Sequence, residues 1–313
     1  MRKKRSSKIN RLFSKKNILI GSVLILLVVL FLFLYFKTGF FVKDKIDSKD
    51  LAYWEYEDGI IKGMKEFSIE GNFSNCWYMI HGYCAGPNDY KELSKRVNEK
   101  FGDYVYVTRL EGHGEVPSHV VNLTLEEWYK QVSLEFDDLK TRCDNINVVG
   151  FSFGGTLATR LGEEKDVKNI YLIAPYIDPT TRFLKIIGKI DIVGWFVNKI
   201  IYTKKFEIAQ LNDPSGKEEY ISYWTFPLAP VRNSRPFIDK TLENSGEIIN
   251  SILIQQSVND DTASFEGTQV LFNKISSEDK KLIKFEKSSH VLLYDYDKEE
   301  VIKNILEFEL ERR

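Results

Sequence analysis

Apolar residues fall along this chain in three patterns. The first is one continuous uncharged stretch at 17–36, written almost wholly in Ile, Leu, Val and Phe. Twenty helical residues reach about 30 Å, the thickness of a bilayer's hydrocarbon core. The second pattern is a set of short, β-branched or aromatic runs at 77–80, 104–110, 146–149, 169–174, 250–257 and 281–287. Runs of that length and composition predict buried strands, with an earlier strand or hairpin at 60–69. The third is helical periodicity. It covers 88–101, with Tyr90, Leu93 and Val97 on one face, then 123–142 and 298–313. In the helix at 123–142, Thr124 is a candidate N-cap, and Glu126 and Glu127 fall in the first turn, where carboxylates are favoured. Strands that alternate with helices predict an α/β fold built on a mostly parallel, twisted sheet flanked by helices.

One interval breaks the alternation. Residues 177–248 are too long for a loop of a compact domain and hold two apolar clusters, one at 183–202 and one comprising Tyr220, Tyr223, Trp224 and Phe226. They predict an inserted lid over a core made of 51–176 and 249–313. Its apolar residues either line an acyl pocket or pack the lid onto the core. The remaining segments are a basic flank at 1–16, the apolar run at 17–36 and a polar linker at 37–50.

Charge matters at one end only. The chain has 44 basic and 45 acidic residues, a balance that gives no reason to expect nucleic acid as a partner. Residues 1–16 nevertheless hold eight Lys or Arg and no acid. The apolar run that follows ends without the small residues of a cleavage site, so it reads as an uncleaved transmembrane anchor rather than a signal peptide. The basic flank then stays cytoplasmic and the remaining chain lies outside the cytoplasm. Cys76, Cys84 and Cys143 show no metal-ligand spacing and are too few for a disulfide framework. No metal is expected from them. Asn72 and Asn122 head glycosylation sequons, which matter only in a pathway that glycosylates.

The candidate chemistry begins where the strand at 146–149 meets Gly150-Phe151-Ser152-Phe153-Gly154. A strand, G-x-S-x-G and a helix place a serine on a sharp turn, its hydroxyl clear of the sheet and beside a helix N-terminus. His81-Gly82-Tyr83 follows the strand at 77–80 and offers the Tyr83 N–H as a second donor beside that of Phe153. His81 reads as a residue that fixes this loop, and Cys84 as a small packed residue. Asp260 and Asp261 follow the strand at 250–257, and Asp178 follows the preceding strand. His290 ends the last strand and is the one histidine after these acids; His81, His113 and His119 all precede the serine.

With these residues in place the chain resembles the α/β-hydrolase superfamily, and within it the bacterial carboxylesterases and monoacylglycerol lipases. The resemblance rests on His81-Gly82-Tyr83, Gly112-His113-Gly114 with the helix bearing Trp128, and Gly150 to Gly154. It spans about residues 75–313, leaving out much of 177–248. It implies hydrolysis of a small-molecule or lipid carboxylic ester without a cofactor. Ser152 would be nucleophile, His290 base and Asp260 acid, the acid standing three residues after Ser257. Tyr83 and Phe153 would supply the oxyanion N–H groups. A catalytically silent binding protein, a peptidase, a thioesterase or an acyltransferase could carry the same constellation.

Overall fold

The computed structural model describes residues 15–38, 47–179, 202–204 and 211–313. Helix α1 (Lys15–Thr38) contains the apolar run and is followed by helix α2 (Asp47–Tyr53). Strands β1 (Tyr56–Glu57) and β2 (Ile60–Ile61) form a small hairpin. Next come β3 (Phe67–Ile69), β4 (Asn72–Ile80), α3 (Lys91–Phe101), β5 (Asp103–Thr108), α4 (Leu125–Lys140), β6 (Asn145–Phe151), α5 (Phe153–Glu164) and β7 (Asn169–Ile173). The interval expected as an insertion contributes β8 (Tyr202–Lys204), α6 (Pro214–Glu219), β9 (Thr225–Pro227), α7 (Ala229–Asn233) and α8 (Arg235–Asn244). The chain closes with β10 (Ser251–Ser257), α9 (Phe265–Lys274), β11 (Lys280–Phe285) and α10 (Lys298–Leu310).

Seven strands make one sheet in the order β11-β10-β7-β6-β4-β5-β3. Every neighbouring pair is parallel except β3 with β5. The central strands are buried on both faces, which is why they read as unbroken apolar runs rather than alternating ones. In β4, Tyr78 and Ile80 join the core on one side, while Trp77 and Met79 join the core on the other. Helix α4 starts where its sequence says. The Thr124 side chain accepts the Glu127 N–H, and Glu127 accepts the Thr124 N–H in return, a reciprocal capping box.

Two boundaries differ from expectation. Residues 47–50, placed in the linker at 37–50, form the first turn of α2 instead, and residues 37 and 38 still belong to α1. Asp47 binds the Ser118 N–H and hydroxyl, and Asp50 is fully buried. In the sequence these acids look like a solvated spacer. In the fold they are acceptors for the backbone N–H groups of Ser118, Trp224 and Thr225.

Side chains of α1 are described over 19–32, and almost all are exposed, Leu26 by 68%. Among the described residues no helix is long and apolar enough to cross a membrane. Fourteen residues rise only about 21 Å at 1.5 Å each, and both ends of the expected span at 17–36 lie outside the described side chains. Most of the apolar cluster at 183–202 also lies outside the described residues. In the second cluster the roles divide. Tyr220 and Phe226 line a cavity, whereas Tyr223 is core, its hydroxyl donating to the Gly112 carbonyl at 2.7 Å.

Cys76 in β4 and Cys143 just after α4 form a disulfide, a pairing not foreseen from three scattered cysteines. It closes a loop across a sequence separation of 67, and in the chain-entropy account such a link stabilises by about 4 kcal/mol. Cys76→Ser with Cys143→Ser is therefore expected to lower unfolding free energy by about that amount in a urea titration. An unchanged midpoint would show that the link does not constrain the unfolded chain.

Candidate active site

The serine turn is dictated by backbone crowding. Ser152 has φ +55° and ψ −118°, a region that L-residues other than glycine rarely occupy. The strain is held by its neighbours. The Ser152 N–H donates to the Ile173 carbonyl at 3.0 Å, and its own carbonyl accepts the Tyr176 N–H at 3.0 Å. A Cβ on Gly150 would stand 2.2 Å from the Gly154 carbonyl oxygen, and one on Gly154 would stand 2.0 Å from that of Ile80. No side chain fits at either place, so the two glycines are required by close approach of backbone.

Three distant side chains meet at this turn. The His290 Nε2 lies 2.9 Å from the Ser152 Oγ, and its Nδ1 lies 2.7 Å from the Asp260 Oδ2. All three are almost fully buried. Asp260 is gripped on every side. Its Oδ2 also accepts from the Gln256 amide at 2.7 Å, and its Oδ1 accepts the Thr262 and Ala263 N–H groups at 2.8 Å each. Asp261 is exposed and its carboxylate accepts from the Thr262 hydroxyl; partial desolvation at the cavity rim raises its pKa. Asp178 pairs with Arg235 at 3.5 Å, away from the histidine. Of the three candidate acids, the geometry brings Asp260 to His290.

The loop that carries His290 is tied down by acids with no signature in the sequence. Asp297 accepts the Ser288 N–H and hydroxyl at 3.0 and 2.8 Å, and Asp295 accepts the Ser289 N–H at 2.8 Å. The Ser257 hydroxyl donates to the Ser288 carbonyl at 2.5 Å. These contacts hold the imidazole's backbone from both sides, as a supporting shell must where orientation matters.

Tyr83 and Phe153 both border the serine. Phe153 opens α5, where the first N–H groups have no partner within the helix. Gly82 sits so close that a Cβ would be 3.2 Å from that of Ser152, and the rings of Tyr83 and Phe153 stack at 5.2 Å. His81 fixes the loop. Its Nε2 accepts the Leu110 N–H at 3.0 Å and its Nδ1 donates to the Gly82 carbonyl at 2.7 Å. Burial pushes its pKa down to about 4, so it stays neutral. His113 is likewise buried, its pKa lowered well below the usual range first by desolvation and then by His81. Its ring packs on His81 and Trp128. Cys84 is buried and its carbonyl accepts the Tyr223 N–H.

Above the serine lies a cavity of about 160 Å³, walled largely by aromatic residues including Tyr83, Phe153, Tyr176 and Phe226, with Ser152 and His290 in its lining. Among the described residues no group of three or more His, Cys, Asp or Glu is arranged to hold a metal ion. Chemically, the site can remove a proton from a hydroxyl, keep the resulting imidazolium beside a carboxylate, and exclude water from an apolar acyl-sized space.

The serine aminopeptidase S33 family matches residues 74–297. The chain is similar to the carboxylesterase of Bacillus subtilis (strain 168), 23% identical over 78% of this chain and 95% of that one. It is also similar to the thermostable monoacylglycerol lipase of Bacillus sp. (strain H-257), 27% identical over 74% of this chain and 88% of that one. Among solved structures it superposes on a protein from a study of two metagenome-derived lipolytic enzymes with TM-score 0.71 at 21% identity, covering 80% and 99% of the two chains. It superposes on the monoacylglycerol lipase of Paleococcus ferrophilus with TM-score 0.66 at 17% identity, covering 79% and 98%. At such identities the structural likeness establishes the α/β-hydrolase fold.

Proposed function

This chain belongs to the serine aminopeptidase S33 family and is a serine carboxylic ester hydrolase with the α/β-hydrolase fold; from that premise we propose that it works through Ser152, His290 and Asp260. The observation that carries the reading is the Ser152–His290–Asp260 chain of contacts, at 2.9 and 2.7 Å, beside an apolar cavity. His290 takes the Ser152 proton as the Oγ attacks the ester carbonyl, and the carbonyl π electrons move to its oxygen. The N–H groups of Tyr83 and Phe153 receive that oxyanion. Collapse breaks the C–O bond to the alcohol, which leaves with the proton held by His290. Water then attacks the acyl-enzyme with His290 again as base, and the acid and free Ser152 are released. Asp260 holds the Nδ1–H tautomer and stabilises the imidazolium.

The substrate is a small or lipid ester, an assignment supported by the aromatic cavity and by the activities named for the two Bacillus relatives. The lid expected over 177–248 is supported, for the described residues 211–248, by the placement of Tyr220 and Phe226 in the cavity wall. The test is a series of nitrophenyl and glyceryl esters beside an aminoacyl nitroanilide. The family's description makes an aminopeptidase the second reading, and preference for the anilide over every ester would establish it instead.

The run at 17–36 anchors the enzyme, N-terminus in the cytoplasm and catalytic domain outside. Support comes from the eight basic residues at 1–16, the uncharged sequence of the run, and the Cys76–Cys143 disulfide, since such bonds persist in oxidising compartments. Protease added to sealed cells or right-side-out vesicles is expected to remove the domain. Its protection would reverse the orientation.

A further inference from the structure

Helix α2 is the first described element after α1, and it packs on the start of β9, the strand that carries Phe226 into the wall of the active-site cavity. Asp50 is fully buried. Its Oδ1 accepts the Trp224 N–H at 2.5 Å and its Oδ2 accepts the Thr225 N–H at 3.2 Å. One turn on, the Tyr53 ring stacks on that of Trp224 at 5.0 Å. At the other end of α2, Asp47 binds Ser118 in the turn Pro117–Val120. The helix therefore clamps the start of β9 to the body of the domain. Directly beyond the clamp, the Phe226 side chain enters the cavity wall, its ring edge-on to Tyr83 at 5.2 Å. The Pro227 carbonyl then accepts the Tyr83 hydroxyl at 2.9 Å. An unbroken set of contacts runs from Asp50 through β9 to the residue proposed as an oxyanion donor.

We propose that Asp50 is a positioning residue that sets acyl selectivity: by holding the Trp224 and Thr225 N–H groups, it fixes Phe226 and Tyr83 as a rigid apolar wall against the acyl chain. The proposal rests on the esterase reading of Ser152, and it ties the segment next to the apolar N-terminal helix to the substrate pocket through β9. Two acceptor oxygens are needed because two adjacent N–H groups are held. Without them, among the described contacts α2 keeps only the Tyr53–Trp224 ring contact to hold the strand, and the wall loses its position.

Each methylene buried against a firm apolar wall favours binding by about 4-fold. The wild-type enzyme in its full chain is expected to prefer nitrophenyl butyrate to nitrophenyl acetate by roughly 15-fold in kcat/KM, two methylenes' worth. In Asp50→Ala that preference collapses toward unity, through a rise in KM for the butyrate that exceeds any change for the acetate. Asp50→Asn keeps one acceptor oxygen and falls between. A folding defect lowers both esters together and leaves the ratio intact; that result, or an unchanged ratio at full activity in both variants, overturns the proposal. Amide hydrogen exchange at Trp224 and Thr225 is followed in the same samples and should accelerate in Asp50→Ala. A wild type that cleaves no ester removes the esterase reading, and unchanged exchange in the variants removes the clamp independently of it.

Discussion

Replacing Ser152 with alanine is expected to lower kcat for a nitrophenyl ester by a factor on the order of 10⁴ or more, with little change in thermal unfolding. Removing the nucleophile of such a triad leaves only what oxyanion donors and binding contribute, which is why the loss is large and the residue is not zero. Stability should barely move, because the Ser152 hydroxyl makes its one described contact with His290 and the turn is set by the glycines at 150 and 154. Relief of the positive φ at 152 is not available to alanine, so the strain at this residue stays. A variant that keeps even a tenth of the wild-type kcat would take Ser152 out of the reaction.

The neighbouring carboxylates give the second large effect. Asp260→Asn is expected to cost about 10⁴-fold in kcat, since an amide in place of the carboxylate stabilises the wrong imidazole tautomer. Asp261→Asn should stay within about tenfold of wild type. The contrast follows from four described hydrogen bonds on Asp260, including the one at 2.7 Å to His290, against the hydroxyl contacts of Asp261 with Thr262 and Ser289. Reading kcat for both variants at one pH settles the assignment. Equal losses would mean that the two acids share the role.

How far the sequence reached depended on how local the cause was. Ile146 to Gly155 could be read directly because the apolar run, the two glycines and the serine they flank all stand within ten residues of one another. Thr124 and Glu127 could be read for the same reason, since a capping box is closed within one turn. His290 followed from chain order. The choice between Asp260 and Asp261 was not legible from the residues alone, because which of two adjacent carboxylates turns inward is decided by a bend whose N–H groups at Thr262 and Ala263 capture one of them. The Cys76–Cys143 bond depends on β4 and the end of α4 arriving side by side across 67 residues. Asp295 and Asp297 look like surface acids in sequence, yet each is buried holding the loop of His290. Asp50 was hidden in the same way, within a stretch that polarity alone marks as a spacer.

That a hydroxyl at 152 is made nucleophilic by an imidazole at 290 can be tested by locating a covalent adduct. The full chain is treated with a fluorophosphonate, digested and mapped by mass spectrometry, beside His290→Ala handled identically. The label is expected on the peptide bearing Ser152 in the wild type, and at least 100-fold more slowly in the variant. A label on another residue, or equal labelling rates in the two proteins, would contradict the account.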